Sequence, residues 1–359
     1  MDVRLTPEQH ALRDSVARVV GHHGVHAVGE LDDTARASKL NTAIVAAGWR
    51  ELRTDTGRGE PLASAVEVAI VAEELARGLG DAAFCGPILA AELRRLAGAP
   101  DTTTIETVLF DGKLAGLLGQ SINGDQSTSK DRSIAIDAAG ATSALLVVAS
   151  GDHYNIGMFD LAAERTLLDL TRPSARPSSA EATRLVAEQQ TPLSTEALTR
   201  WTAFGLALTA ADLVGTMRGT IELATEYAKA RQQYGVAVGS FQAVQHMLAD
   251  ALVAMEGSRS VTLHAAWAVD ALAPDDALGA AALAKAYCAR AARRVCETSI
   301  QVHGGIGNTW ECLGHVYLRR ALLSIDMLGG IGPSLKRVLA HHDVHGDAGS
   351  TQGGTDGLR

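Results

Sequence analysis

At 359 residues, with 47% hydrophobic, 20% charged and only 4% aromatic residues, the chain has the make-up of a globular protein large enough for two or three domains. Its formal charge of −9 argues against a nucleic-acid or anionic-membrane surface, because phosphate binding needs clustered Lys and Arg. No stretch reaches the roughly 20 apolar residues of a membrane span, and the opening "MDVRLTPEQHALRD" lacks the apolar run of a signal peptide, so a cytoplasmic location is expected.

Residues 1–105 read as an all-helical domain. Thr6 is placed to cap a helix, with Pro7 at its first position and Gln9 closing a capping box, and Leu12, Val16, Val19 and Val20 share a face. A second helix, "ASAVEVAIVAEELARGLG", carries Val66, Ile70, Val71 and Leu75 at helical spacing and stops at Gly78 and Gly80. From 106 to 192 the texture changes to short apolar runs bounded by Gly, Asp and Ser: "TVLFDG", "SIAIDAAG", "ALLVVAS", "NIGMFDL", "RTLLDL" and "TRLVAE". These predict strands of a small antiparallel sheet or barrel, with "TRPSARPSSAE" as an exposed loop.

Residues 193–342 are helical again, in four long segments at 194–230, 240–272, 275–302 and 310–329 with short connections, which predicts an antiparallel four-helix bundle. The tail, 343–359, is polar and glycine-rich and is expected to be disordered. Cys85, Cys288, Cys296 and Cys312 fall in no C-x-x-C pattern, so neither a disulfide framework nor a metal site is supported, and reduced core thiols are expected.

Two stretches stand out. In "QVHGGIGNTWE", Gly304 and Gly305 remove side chains where a flat or phosphorylated ligand could approach the backbone, and Gln301 offers an amide. In "RQQYGVAVGSFQAVQHMLAD", Arg231 supplies a permanently charged planar fork suited to a pyrophosphate. A plainer reading stays open: the glycines let two helices turn tightly, and Arg231 is a solvated charge at a helix end. His303 reads as a hydrogen-bonded histidine beside a turn, and Glu311 as a carboxylate favoured near a helix start.

Both stretches resemble the acyl-CoA dehydrogenase superfamily. The first matches its Q-x-x-G-G-x-G-Y-x-x-E pattern through Gln301, Gly304, Gly305, Gly307 and Glu311. The second matches R-x-x-F-G-x-x-I-x-x-F-Q-x-x-Q through Arg231, Tyr234, Gly235, Val238, Phe241, Gln242 and Gln245. The order of helical domain, small β-domain and four-helix bundle also fits. The resemblance implies FAD as cofactor, with Arg231, Tyr234, Phe241, Gln242, Gln301, Gly304 and Gly305 covering the adenine and pyrophosphate end of a flavin bound mainly by a neighbouring subunit. It also implies an acyl-CoA substrate and an electron-transfer flavoprotein as electron acceptor.

The family's chemistry needs a carboxylate that removes the α-proton while hydride leaves for the flavin. Most members carry it in a Y-E-G sequence, where register from Arg319 places Met327, Leu328 and Gly329. Others place it about 26 residues before the motif arginine, where this chain has Gly205. Neither residue is a base. Asp326, two positions before Leu328, should point away, and Asp212, seven after Gly205, lies on the same face but roughly 10 Å along the axis, leaving it a weak substitute. The segment after Y-E-G is replaced by "GIGPS", the sequences that hold the flavin ring are missing, and the middle domain is short.

This pattern resembles the glutamate-lacking subunit of the heteromeric (α2β2) dehydrogenases of actinobacterial steroid degradation. It implies a second acyl-CoA dehydrogenase subunit that supplies the glutamate. A self-sufficient homotetramer with an unusual base, and a non-enzymatic scaffold, are the alternatives.

Overall fold

The computed structural model describes residues 4–350 except 112–113, 115–117, 120–132, 151–152, 180–181, 183 and 187–191. The N-terminal region is helical: α1 (Pro7–His23), α2 (Thr34–Ala46), α3 (Ala65–Arg77) and α4 (Cys85–Leu96). The capping box at the start of α1 forms as the sequence predicts, Thr6 accepting from the Gln9 N–H while the Gln9 side chain accepts from the Thr6 N–H. Such a cap contributes about 1 kcal/mol. The face carrying Val16 and Val20 is buried, whereas α3 is buried over most of its circumference because it lies between the other N-terminal helices and the bundle.

The middle region forms β1 (Glu106–Asp111), β2 (Leu118–Gly119), β3 (Ser133–Ala135), β4 (Ser143–Ser150), β5 (His153–Asp169), β6 (Arg172–Pro177) and β7 (Arg184–Leu185). They make one sheet in the order β2-β4-β1-β3-β6-β5-β7, closed further by a β4–β5 pairing. Three expectations are corrected here. The pairings β1–β4 and β2–β4 are parallel, so the sheet is mixed rather than antiparallel. The runs "NIGMFDL" and "RTLLDL" are one 17-residue strand whose register shifts twice against β6. The segment "TRPSARPSSAE", expected as an exposed loop, contributes strand β6 between β3 and β5 and buries Arg172 and Ser174. Its two prolines read as breakers, but Pro173 still offers a carbonyl, which accepts from the Ala138 N–H at 2.7 Å.

The C-terminal region contains α5 (Thr195–Ala230), a short hairpin of β8 (Gln232–Gln233) and β9 (Val236–Ala237), α6 (Gln242–Ala271), α7 (Pro274–His303), α8 (Gly314–Asp326) and α9 (Ile331–Ser350). The four expected segments are present, and α9 adds a fifth helix packed on α7. Residues 343–350 therefore continue a helix instead of starting a disordered tail, and 351–359 lie outside the described residues. All four cysteines are buried free thiols. Among the described residues no helix is long and apolar enough to cross a membrane.

Buried ion pairs cross the boundaries between these regions. Arg53 pairs with Glu92 on α4 at 2.9 Å and with Asp270 on α6 at 3.1 Å, its guanidinium lying 4.9 Å from the centroid of Phe204 on α5. Asp270 also accepts from the Ala65 N–H at the start of α3. In the β-region, the Asp137 carboxylate accepts from the N–H groups of Phe84 and Gly86, capping α4 from outside its own chain segment.

Candidate functional site

The two motifs meet at one end of the bundle. The rings of Tyr227, near the end of α5, and His303, the last residue of α7, stand 4.5 Å apart between centroids. Ser299 on α7 donates to the Thr220 carbonyl on α5 at 3.0 Å, locking the same level. The residues that follow each helix, Arg231 and Gly304, are thereby presented on a common surface. His303 is buried with Nδ1 2.7 Å from the Ser299 carbonyl oxygen, the structural role the sequence suggested.

Beyond Arg231 the chain makes a tight hairpin. Tyr234 (φ 53°) and Gly235 (φ 81°) both take left-handed backbone conformations, the arrangement of a type I′ turn, and the Val238 N–H donates to the Arg231 carbonyl. Tyr234 is 93% exposed and meets Phe241, itself 39% exposed, edge to face at 6.3 Å. Gln242 is also exposed, while Gln245 donates to the Gly239 carbonyl and holds the hairpin to α6.

After α7 the glycine stretch forms a 3₁₀ turn over Gly304–Asn308. Gly304 has φ +66° and ψ −142°, a backbone conformation that side chains resist, so glycine there is required by the turn. Gly305 is different. Its φ is not positive, and a Cβ added to it would meet nothing within 4 Å. Nothing inside the chain requires that glycine. Gln301 is exposed beside it, and Glu311 is exposed three residues before the start of α8. Sequence reasoning passed over Trp310, 64% exposed and packed edge to face on His315 at 4.8 Å. In a chain with only 4% aromatic residues, a tryptophan directly after the glycine motif was the available signal.

The two positions singled out as possible sites of the family's glutamate touch each other. Leu328 is buried in a left-handed conformation (φ 63°), its N–H donating to the Leu114 carbonyl at 2.7 Å and its carbonyl accepting from Arg337 at 2.9 Å. A Cβ built on Gly205 would lie 2.5 Å from Leu328 Cδ1 and 3.3 Å from Leu89 Cδ2. The space at the Gly205 backbone is therefore filled with leucine. One turn away, the Trp201 indole N–H donates to the Leu89 carbonyl at 3.0 Å and closes the same junction between α4 and α5.

Asp212, the weak substitute base, is fully buried and engaged on both oxygens. Arg320 donates to Oδ1 at 2.6 Å, Ser324 donates to Oδ2 at 2.6 Å, and Arg172 from the β-region stands 3.4 Å from Oδ2. Burial would raise its pKa, but the guanidinium groups of Arg172 and Arg320 outweigh it and hold the carboxyl below the usual aspartate range. Asp169 pairs with Arg172 at 2.6 Å and accepts from Thr171, which in turn accepts from Arg320. The cluster fastens the β5–β6 turn to α5 and α8. An anion this well paired is a poor proton acceptor. Asp326 is exposed, as expected, with Leu328 lying beyond the end of α8. Beside the cluster, Lys285 on α7 is buried and donates to Thr209 Oγ1 at 3.0 Å and to the Ser324 carbonyl, and burial pushes its pKa down to about 7.

Comparison with known proteins agrees with this architecture. Residues 198–331 match the family model described as acyl-CoA dehydrogenase, C-terminal domain. The acyl-CoA dehydrogenase IpdE2 of Mycobacterium tuberculosis is 31% identical over 349 residues, which cover 93% of this chain and 98% of that protein. The chain belongs to the acyl-CoA dehydrogenase family. Acyl-CoA dehydrogenase FadE34 of the same organism is 43% identical over 134 residues, but that match covers 36% of this chain and 18% of the relative. Among solved structures, the ChsE4-ChsE5 complex from Mycobacterium tuberculosis has a TM-score of 0.75 at 19% identity, covering 96% of this chain and 99% of the matched one. The Tcur3481-Tcur3483 steroid ACAD G363A variant has a TM-score of 0.74 at 20% identity, covering 95% and 99%. At these identities the structural likenesses establish the dehydrogenase fold.

Proposed function

We propose that this chain is the subunit of a heteromeric, FAD-dependent acyl-CoA dehydrogenase that lacks the catalytic base and completes the flavin site of a glutamate-bearing partner. The observation that carries the proposal is the contact of Leu328 with Gly205, which fills both positions where the family places its base with side chains that accept no proton. A second observation supports the role of lender: Arg231, Gln301 and the bare backbone at Gly305 lie exposed at one end of the bundle. Their chemistry, a guanidinium fork, an amide and a backbone without a side chain in the way, fits a dinucleotide pyrophosphate and its ribose.

When bound, FAD supplies hydride acceptance from the β-carbon of the thioester. This chain's residues would hold the cofactor's outer half. Arg231 neutralises the pyrophosphate, Gly304 and Gly305 let it approach the backbone, Gln242 and Gln301 hydrogen-bond its polar edges, and Tyr234 and Phe241 cover apolar surface and exclude water. Proton abstraction falls to the partner's glutamate. The reaction class is α,β-desaturation of an acyl-CoA. Likeness in fold to a steroid ACAD structure supports a steroid-derived acyl group.

The test is purification alone and after co-expression with an acyl-CoA dehydrogenase chain that carries the glutamate, reading flavin absorbance and mass. Flavin confined to the mixed complex, at about half a flavin per chain, is the expected result. A yellow homotetramer that reduces on addition of an acyl-CoA would overturn the proposal.

A further inference from the structure

A second polar site lies inside the protein, where the first turn of α4, the β-region and α8 meet. It is a cavity of about 10 Å³ bounded by α3 and by Gly80, Phe84, Cys85, Asp137, Arg172 and Arg320, all of them buried. That is about the volume one water molecule needs. Asp137 takes a left-handed conformation (φ 56°) in the turn after β3, and the neighbouring Ala138 N–H donates to the Pro173 carbonyl at 2.7 Å. The backbone of Asp137 is thereby held next to that of Arg172.

The Asp137 carboxylate is only half used. Oδ2 accepts from the N–H groups of Phe84 at 2.8 Å and Gly86 at 3.1 Å, whereas Oδ1, equally buried, has no hydrogen-bond partner among the described residues. A buried carboxylate oxygen without a donor is strongly unfavourable. The surrounding arginines do not supply one directly. Arg50 acts on Asp137 through space, but it donates to the Ala83 carbonyl and to Asn41. Arg320 donates to Asp212, to the Gly80 carbonyl and to Thr171. Arg172 commits Nε to Asp169 and Nη2 to Ser324 and the Arg320 carbonyl. Its Nη1 lies 3.4 Å from Asp212 Oδ2, and with two hydrogens it keeps one to give. An acceptor and a donor in need of partners thus belong to residues that wall one water-sized space. The Cys85 thiol, pushed up chiefly by burial, stays protonated and adds no charge.

We propose that this cavity holds one ordered water molecule, which donates to Asp137 Oδ1 and accepts from Arg172 Nη1. Charge decides the class of occupant. A cation would sit against Arg172 and Arg320, and an anion against the Asp137 carboxylate, whereas a neutral molecule that both donates and accepts suits both walls. Of such molecules, water fits the volume. Through it the cap of α4 joins the ionic cluster, because Arg172 already pairs with Asp169 and Asp212 and bonds Ser324 on α8. The N-terminal helices, the β-region and the bundle then share one continuous polar network. The site is separate from the glycine turn and stands whether or not the chain lends a flavin site.

The experiment is a crystal structure of the full chain, alone or in its complex, at a resolution that shows ordered water, with Asp137→Asn crystallised beside wild type. Wild type is expected to show one solvent peak within hydrogen-bond distance of Asp137 Oδ1 and Arg172 Nη1. In Asp137→Asn the amide oxygen still serves the two N–H groups of α4, but the amide nitrogen only donates, so the water loses its acceptor. The peak should vanish, and the unfolding equilibrium should shift roughly tenfold toward the unfolded chain. An empty wild-type cavity overturns the inference. So does a peak that gains the anomalous signal of bromide on soaking, which marks an anion, or a peak unchanged in Asp137→Asn. A water on Asp137 Oδ1 that bridges to Arg50 instead of Arg172 overturns it as well. If the variant does not fold, the wild-type density decides alone.

Discussion

The side chain of Leu328 lies over the backbone of Gly205, so close that a methyl group on residue 205 would stand 2.5 Å from Leu328 Cδ1. Each position is therefore conditional on the other. Gly205→Ala is expected to cost about 1 kcal/mol, the low end of overpacking, because the obstructing atom is the end of a flexible side chain. In a Leu328→Ala background the same change should cost nothing or stabilise by refilling the cavity. Urea unfolding of the two single variants and the double variant measures the coupling. Strictly additive costs would show that the contact does not set the glycine.

Replacing Asp212 by Ala leaves Arg172 and Arg320 buried with one carboxylate fewer, and is expected to destabilise the chain by about 3–5 kcal/mol. A residue acting as a catalytic base would instead lose turnover with little change in stability. The pH dependence follows from the lowered pKa. The contribution of Asp212 is fully present above the ordinary aspartate range and is lost as pH falls through its lower folded-state value. Wild type and Asp212→Ala should therefore converge in denaturant midpoint as the pH is brought down toward that value.

Lys285 gives a dependence of the same sense in a higher pH window. Its folded-state pKa of about 7 is below the value of about 10.4 for a lysine in an unfolded chain, so the unfolded state binds more protons between those limits. Stability should rise as pH increases from 7 toward 10, and Lys285→Met should remove that slope. Midpoints at pH 7, 8.5 and 9.5, taken as differences between wild type and variant, isolate it from the other titrating groups. An unchanged slope in Lys285→Met would assign the dependence elsewhere.

At the glycine turn, Gly305→Ala adds a methyl group that meets nothing inside the chain. Stability is expected to stay within about 0.5 kcal/mol of wild type. Flavin retention by the mixed complex should nonetheless fall. Arg231→Ala should weaken retention by about 10- to 100-fold, the worth of a charged hydrogen bond. Full flavin content in both variants would argue that this end of the bundle faces no cofactor.

The parts of the molecule legible in sequence are those governed by local rules. Thr6, Pro7 and Gln9 announce the start of α1 because a capping box is a three-residue interaction, and the bundle helices show through length and periodicity. Strand β6 was hidden because Pro173 and Pro177 resemble turn punctuation, while its place between β3 and β5 is decided by partners far along the chain. The same applies to the site. Gln301, Gly304, Gly305 and Arg231 are visible as motifs, but that Tyr227 and His303 bring them together is a tertiary fact. Asp212 looked like a spare carboxylate because its partners, Arg172 and Arg320, are respectively 40 positions before and 108 after it.

The hairpin that presents Tyr234 has a consequence for how a complex would form. Its turn is fixed by two left-handed residues, its strands are paired, and Gln245 ties it to a 30-residue helix. Little conformational freedom remains to be lost when a neighbour closes over it, so joining should resemble the docking of two finished bodies rather than folding on contact. Assembly would then be paced by encounter and orientation, and subunits folded separately should combine on mixing without a denaturation step.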